Sequence, residues 1–307
     1  MRVFILTLGT RGDFELFLML SRELRRRGHE VIFGTSEFYS ARTREAGIEW
    51  APIGSSSQAE MVSILQSLSP VSDGIRRTRL YYARWLRPQL SMAQEQITTI
   101  AATADYFISN LKMVVQRAGR TLPGAFVTYD PPGDVRDLPS YGSQKHEGKI
   151  LELVAMNKQL VDPQDLWGEQ YLFTGFWGEE RTGGWEPPQE LRVFLEESPP
   201  PVVVTMGSMV MFDASVLLRN LSQALRLCGQ RGIIVGGWSG LCETDAPGGP
   251  VRCVGEVPYD WLFPKASCVI HHGGCGTVAA VLRAGIPSIL LPQITCQEHF
   301  GRMLLKE

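Results

Sequence analysis

Apolar runs of strand length alternate along this chain with stretches where apolar residues recur every three or four positions. Val3-Phe4-Ile5-Leu6-Thr7-Leu8 is the first such run, and Gly9 to Gly12 supply a turn after it. From Phe14 to Arg27, Leu16, Leu20 and Leu24 share one helical face while Arg22, Arg25 and Arg26 point to solvent. Gly28 stops that helix, and Glu30 to Thr35 is the next strand. Strand, helix and strand in so short a span make a βαβ unit, which predicts a right-handed crossover and a parallel sheet.

The pattern restarts in the second half. Glu186-Pro187-Pro188 and Pro199-Pro200-Pro201 bracket a short helix, Gln189 to Glu197. Strand Val202 to Met206, turn Gly207-Ser208, helix Ala214 to Cys228 and strand Gly232 to Val235 follow. Two βαβ starts joined by a proline-rich hinge predict two doubly wound α/β domains in tandem, residues 1–180 and 190–307.

Composition narrows the function classes. Of 307 residues, 44% are hydrophobic and 20% charged, which supports packed cores and excludes wholesale disorder. The net charge of −2 provides no global basic field, so nucleic acid is not an expected partner. The apolar start is shorter than a secretory signal, and no run reaches the ~18 apolar residues of a spanning helix. Cys228, Cys242, Cys253, Cys268, Cys275 and Cys296 form no Cys-x-x-Cys pair, so we expect reduced thiols, a cytoplasmic location and no metal site.

Ile75 to Pro88 carries Arg76, Arg77, Arg79, Arg84, Arg87, Tyr81, Tyr82 and Trp85 without an acid. Weak peripheral contact with a membrane surface, or contact with an amphiphilic substrate, is one reading. A solvated basic helix face with its aromatics packed inward is the other.

The most informative segment runs from Gly255 to Gln297. Strand Cys268 to His271 feeds His272-Gly273-Gly274-Cys275-Gly276-Thr277, and a helix, Val278 to Ala284, follows. Glycines between a strand and a helix let backbone amides approach a ligand, and the helix N-terminus offers unpaired N–H donors. A pyrophosphate suits such a turn, with His272 and Thr277 as further donors. Glycines there for sterics alone and structural histidines are the plainer alternative.

Gly255-Glu256-Val257-Pro258-Tyr259-Asp260-Trp261-Leu262-Phe263-Pro264 and His271-His272-Gly273-Gly274-Cys275-Gly276-Thr277 resemble the donor signature of the UDP-glycosyltransferase family. The likeness is greatest to sterol glucosyltransferases and the bacterial enzymes that glycosylate natural products, glycopeptides included. Gly9-Thr10-Arg11-Gly12-Asp13, Tyr171 to Trp177, Met206 to Met209 and Gly236 to Gly240 are similar to further motifs of that family. The resemblance implies a GT-B architecture, two Rossmann-like doubly wound domains facing across a cleft. It also implies an inverting transferase that uses a nucleotide sugar (UDP or TDP) as co-substrate, with no cofactor and no metal. The acceptor is then a hydrophobic small molecule, lipid or natural product.

By that likeness, Ser208, His272, Gly273, Gly274, Gly276 and Thr277 bind the donor diphosphate. Trp238 and Val257 lie near the nucleoside, although Trp238 also reads as a core residue. Cys296, Gln297 and Glu298 lie at the donor sugar, and Gly12 and Glu15 at the acceptor. Asp13 is the general base, with Glu15 as a secondary candidate. Asp13 equally reads as an N-terminal cap of the Phe14 helix. No histidine precedes His29, which sits at a helix end and reads as structural. A dinucleotide-dependent oxidoreductase fails for lack of a Gly-x-Gly-x-x-Gly after a strand.

Three departures from the family stand out. Cys296-Gln297 replaces an Asp-Gln pair, and a thiol is a poor acceptor for sugar hydroxyls, with Glu298 the nearest substitute carboxylate. The chain stops at Glu307 where relatives continue, which predicts an incomplete C-terminal domain. Pro131 to Lys149 is short where relatives hold acceptor-binding elements. The first two departures leave a second functional reading, a catalytically inactive homologue that binds a nucleotide sugar or a partner protein.

Overall fold

The computed structural model describes residues 1–111, 114, 122–129, 150–160, 171–178, 185–211, 213–242 and 249–305. The expectation for 131–149 lies outside them. The chain forms two compact units, Met1–Gly178 with Ile294–Glu307, and Glu179–Gln293.

The first unit is built on a seven-stranded parallel sheet: β1 Arg2–Leu6, β2 Glu30–Thr35, β3 Glu49–Pro52, β4 Tyr106–Ser109, β5 Gly124–Thr128, β6 Ile150–Val154 and β7 Tyr171–Phe173. Their order is β3-β2-β1-β4-β5-β6-β7, so the order reverses between β1 and β4. Val3 to Leu6 are fully buried, as a strand covered on both faces requires. The helices are α1 Arg11–Arg26, α2 Ser40–Glu45, α3 Gln58–Leu68, α4 Gly74–Tyr81, α5 Arg87–Met92 and α6 Gln94–Ala101, with a π-helical turn, Tyr82–Leu86, joining α4 to α5.

Two details of α1 differ from the sequence expectation. It starts at Arg11 because Thr10 is its N-cap, and Gly12 is tolerated where the first-turn amides lack intrahelical partners anyway. Its buried stripe is Phe14, Phe17, Leu18 and Ser21 with Leu16 alongside, whereas Leu20 and Leu24 are half-buried. Aromatic stacking sets that rotation: the Phe14 ring lies 4.0 Å from Tyr39 and 5.7 Å from Phe33.

The second unit holds a five-stranded parallel sheet of β8 Val202–Thr205, β9 Gly232–Val235, β10 Val251–Val254, β11 Cys268–His271 and β12 Ser288–Leu290. The order is β10-β9-β8-β11-β12, which reverses between β8 and β11. Its helices are α7 Gln189–Glu196, α8 Ala214–Leu227, α9 Tyr259–Leu262 and α10 Cys275–Ala284. One face of the sheet packs Val203, Ile233 and Val269 against Leu262, Phe263 and Val281. The other packs Val204 and Ile234 against Leu218, Leu221 and Leu225. The proline-rich segment is tied down, since Arg231 donates to the carbonyls of Glu197 (2.6 Å) and Pro199 (2.9 Å) and stacks on Phe194. The last helix, α11 Thr295–Leu304, groups by contact with the first unit although it follows the donor-like motif in sequence.

Candidate functional site

In open α/β sheets, ligands bind beyond the strand carboxyl ends where strand order reverses. In the second unit the turns after β8, β9 and β11 meet there. His272 is 7% exposed, and its ring is flanked by two glycines. A Cβ on Gly207 would lie 2.6 Å from its Cε1, and one on Gly274 would lie 2.3 Å from its Nε2. Gly207 also accepts a hydrogen bond from the Trp238 N–H (3.1 Å), and its own N–H donates to Thr205 Oγ1, which pairs with the Tyr259 hydroxyl. Ser208, half-buried Trp238 and His272 are therefore brought together through Gly207.

The histidine turn is fixed from within. His271 is fully buried, and its Nδ1 accepts the Gly273 N–H at 3.1 Å, where Gly273 has φ +90°. That bond places the His271 proton on Nε2. Burial pushes His271 down to about 4 and His272 down to about 3, the latter with help from its neighbour His271. Both are thus neutral near pH 7, and His272 offers a neutral donor rather than the charged one its place beside a helix N-terminus suggests. His271 Nε2 and His272 Nδ1 are buried without a partner. Helix α10 begins at Cys275 rather than Val278, with Gly274 as N-cap, so Gly276 and Thr277 lie in its first turn. Thr277 is buried and Gly276 exposed. Val257 belongs to the hydrophobic core, which leaves only its main chain for a nucleoside.

The corresponding place in the first unit is occupied by Asp13. Its Oδ2 accepts the Thr10 N–H at 2.8 Å, so the capping role is real. Its Oδ1 accepts from Asn110 Nδ2 (3.3 Å), just past β4, and from the Tyr129 hydroxyl, just past β5. Asn110 also donates to the Tyr129 oxygen (2.7 Å) and accepts from Thr7 Oγ1 (3.0 Å). A Cβ on Gly9 would lie 2.2 Å from Asp13 Oδ2, which explains the glycine there. Asp13 keeps some solvent contact, but the dense protein around it raises its pKa, opposed by the bonds from Tyr129 and Thr10. Tyr39 and Tyr81 lie close enough for the Asp13 charge to help hold their phenols protonated. Tyr81 stacks on Trp85 at 5.3 Å, giving this end of the sheet an aromatic wall.

Sequence reasoning missed Asn110, Tyr129 and Tyr39, and placed Tyr81 only in the basic 75–88 stretch. The first two had a signal, a polar residue directly after a short apolar run. Glu15 was expected as a secondary base, but Arg42 (2.5 Å) and Arg11 (3.4 Å) both engage its Oε1. Gly12 is exposed.

Cys296, Gln297 and Glu298 form the first turn of α11. Gln297 is 3% exposed and its Oε1 accepts the Ile294 N–H at 3.3 Å, so it caps its own helix. Cys296 is half-buried and Glu298 exposed. In the 75–88 stretch Trp85 and Leu86 are buried, while Arg76, Arg79, Arg84 and Arg87 are exposed. No helix among the described residues is long and apolar enough to cross a membrane, and none of their His, Cys, Asp and Glu side chains cluster to hold a metal. An open groove of about 630 Å³ along β3, lined by Arg2, Trp50 and Met92, contains none of the candidate residues.

Two doubly wound α/β units, each with polar side chains gathered where its strand order reverses, define the architecture. The spinosyn rhamnosyltransferase SpnG superposes with a TM-score of 0.69 at 18% identity, covering 100% of this chain and 84% of that one. The Streptomyces sp. SF2575 glycosyltransferase SsfS6 gives 0.64 at 19% identity, covering 100% and 86%. These likenesses establish the GT-B fold. Residues 3–113 match the glycosyltransferase family 28 N-terminal domain, and residues 241–302 the erythromycin biosynthesis protein CIII-like C-terminal domain. Sterol 3-beta-glucosyltransferase UGT80A2 of Arabidopsis thaliana is 25% identical over 98% of this chain and 56% of its own length. The O-mycaminosyltylonolide 6-deoxyallosyltransferase of Streptomyces fradiae is 27% identical over 95% of this chain and 80% of its own. By these matches the chain is similar to UDP-glycosyltransferases along almost its whole length. It spans little more than half the length of the two Arabidopsis relatives it matches. Those alignments run over 355 and 358 positions, so the relatives carry residues inside the matched span that this chain of 307 does not.

Proposed function

We propose that this protein is an inverting glycosyltransferase that moves a hexose or deoxyhexose from a UDP- or TDP-sugar to a hydroxyl of a hydrophobic acceptor. The observation that carries the reading is the convergence of the Gly207 and Gly274 turns on His272, beside the open first turn of α10. Amides of that turn, the Ser208 and Thr277 hydroxyls and the imidazole N–H supply donors for a departing diphosphate, and no metal is assigned. Asp13 Oδ1 takes the acceptor proton as the acceptor oxygen attacks the anomeric carbon and the bond to the diphosphate breaks. A half-buried carboxylate with a raised pKa suits that task near neutral pH. The names of the relatives, sterol glucosyltransferases and macrolide deoxysugar transferases, support a lipophilic acceptor and either kind of hexose. A solved relative holding thymidine diphosphate supports the donor class. A cytoplasmic location goes with this reading.

The experiment is release of nucleoside diphosphate from UDP-glucose and TDP-glucose with a panel of sterol, macrolide and phenolic acceptors. Transfer to any acceptor supports the enzyme. Cys296, where the family has a carboxylate, favours a second reading, an inactive homologue that binds donor or partner. Binding of UDP or TDP without turnover across the panel would select it.

A further inference from the structure

We propose that Tyr129 is a positioning residue for Asp13, its phenol holding Oδ1 ionised and oriented to take a proton. This rests on the reading of Asp13 as the base. The capping of α1 needs only Oδ2, which the Thr10 N–H satisfies. Oδ1 has no task in that helix. Yet two side chains, from 97 and 116 residues away in sequence, reach it from the ends of β4 and β5. Donors from three separate segments over-determine the carboxylate plane, which capping alone does not require. The hydrogen bond between Asn110 and Tyr129 joins the two Oδ1 donors into one unit, and Thr7 in turn orients the Asn110 amide.

The phenol also tunes the acid. Burial raises the Asp13 pKa, and the Tyr129 bond is the largest influence against it. Among the described residues, the other titratable and charged groups around this centre are Tyr39, Tyr81, Tyr82, Glu15, Arg11 and Arg42. All of these are retained when the Tyr129 hydroxyl is removed, so a change in Asp13 titration reports on that hydroxyl.

The test is a carboxyl ¹³C NMR titration of aspartate-labelled protein, with Asp13→Asn identifying the resonance. Tyr129→Phe should move the Asp13 midpoint upward by about one to two pH units, the worth of one hydrogen bond to a charged group. Replacing Tyr129 by 3,5-difluorotyrosine, a stronger donor of the same shape, should move it downward. That second variant keeps the test decisive if the phenylalanine form folds poorly. An unmoved midpoint, or shifts of the opposite sign, would overturn the inference while leaving Asp13 as base. Asp13→Asn protein that transfers sugar at the wild-type rate would instead overturn the base reading, whatever the titration gives.

Discussion

His272 is a neutral, nearly buried imidazole wedged between two glycine backbones, and that state sets how much it can contribute to ligand binding. A neutral donor is worth about 0.5–1.5 kcal/mol, less than the charge-assisted bond its position beside a helix N-terminus suggests. His272→Ala should therefore weaken UDP or TDP binding roughly three- to tenfold in calorimetry, and unchanged affinity would assign the ring to packing alone. For Asp13, the Asn variant should keep donor affinity and lose transfer by ~10²–10⁴-fold, the usual range for a lost general base. Steady-state rates at saturating donor decide it, and a variant within a few-fold of wild type would leave Asp13 only its cap. His272 and Asp13 were legible because each sits in a short contiguous motif. Tyr129 and Asn110 were not, because what brings them to Asp13 is the strand order β1-β4-β5, and pairing order is not written locally.

The glycine turns are where element geometry becomes ligand geometry. Gly207 has φ +58°, so a side chain there is strained twice, by its backbone and by the His272 ring. Gly274 has an ordinary φ of −66°, so Gly274→Ala meets only the ring. That substitution should displace His272 and lower UDP affinity at least as much as His272→Ala. Its cost in stability should be about 1–3 kcal/mol, as for other overpacked sites. Paired calorimetry and thermal melts check it; a stable variant with wild-type affinity would show that the ring position is unimportant. Strands such as Glu30–Thr35, Gly232–Val235 and Cys268–His271 were readable to the residue, because a strand buried on both faces is a bare apolar run. The starts of α7 and α8 were equally readable, but those of α1 and α10 were not, since their first turns contain the glycines that also mark a loop. The buried face of α1 was misread because spacing cannot weigh a Phe14–Tyr39 stack against a row of leucines.

At the scale of the whole molecule, the two depressed histidines link folding to pH. Their folded values lie below the unfolded value of about 6.5, so the unfolded chain binds more protons as pH falls. Their contribution is complete above pH 6.5 and is lost on acidification, towards about 4 for His271 and about 3 for His272, by up to about 1.4 kcal/mol per pH unit for each. Asp13, with its pKa raised, acts in the opposite direction. Urea melts at pH 7 and pH 5 should show the loss, and His271→Asn, which keeps an acceptor for the Gly273 N–H, should reduce it. An identical slope in that variant would contradict the assignment. Donor choice is a property of the whole site: Cys296→Asp should shift preference from deoxy-sugar donors towards glucose by roughly ten- to a hundredfold if Cys296 faces the sugar. A donor panel with the same ranking for both proteins would remove it from that role.

A crystal structure with thymidine diphosphate bound would show whether the turns after β8 and β11 form a nucleotide-sugar cradle. The diphosphate should lie against the first turn of α10, within hydrogen-bond distance of His272 and of Ser208 or Thr277. Bound nucleotide whose phosphates lie elsewhere, with that turn untouched, would contradict it.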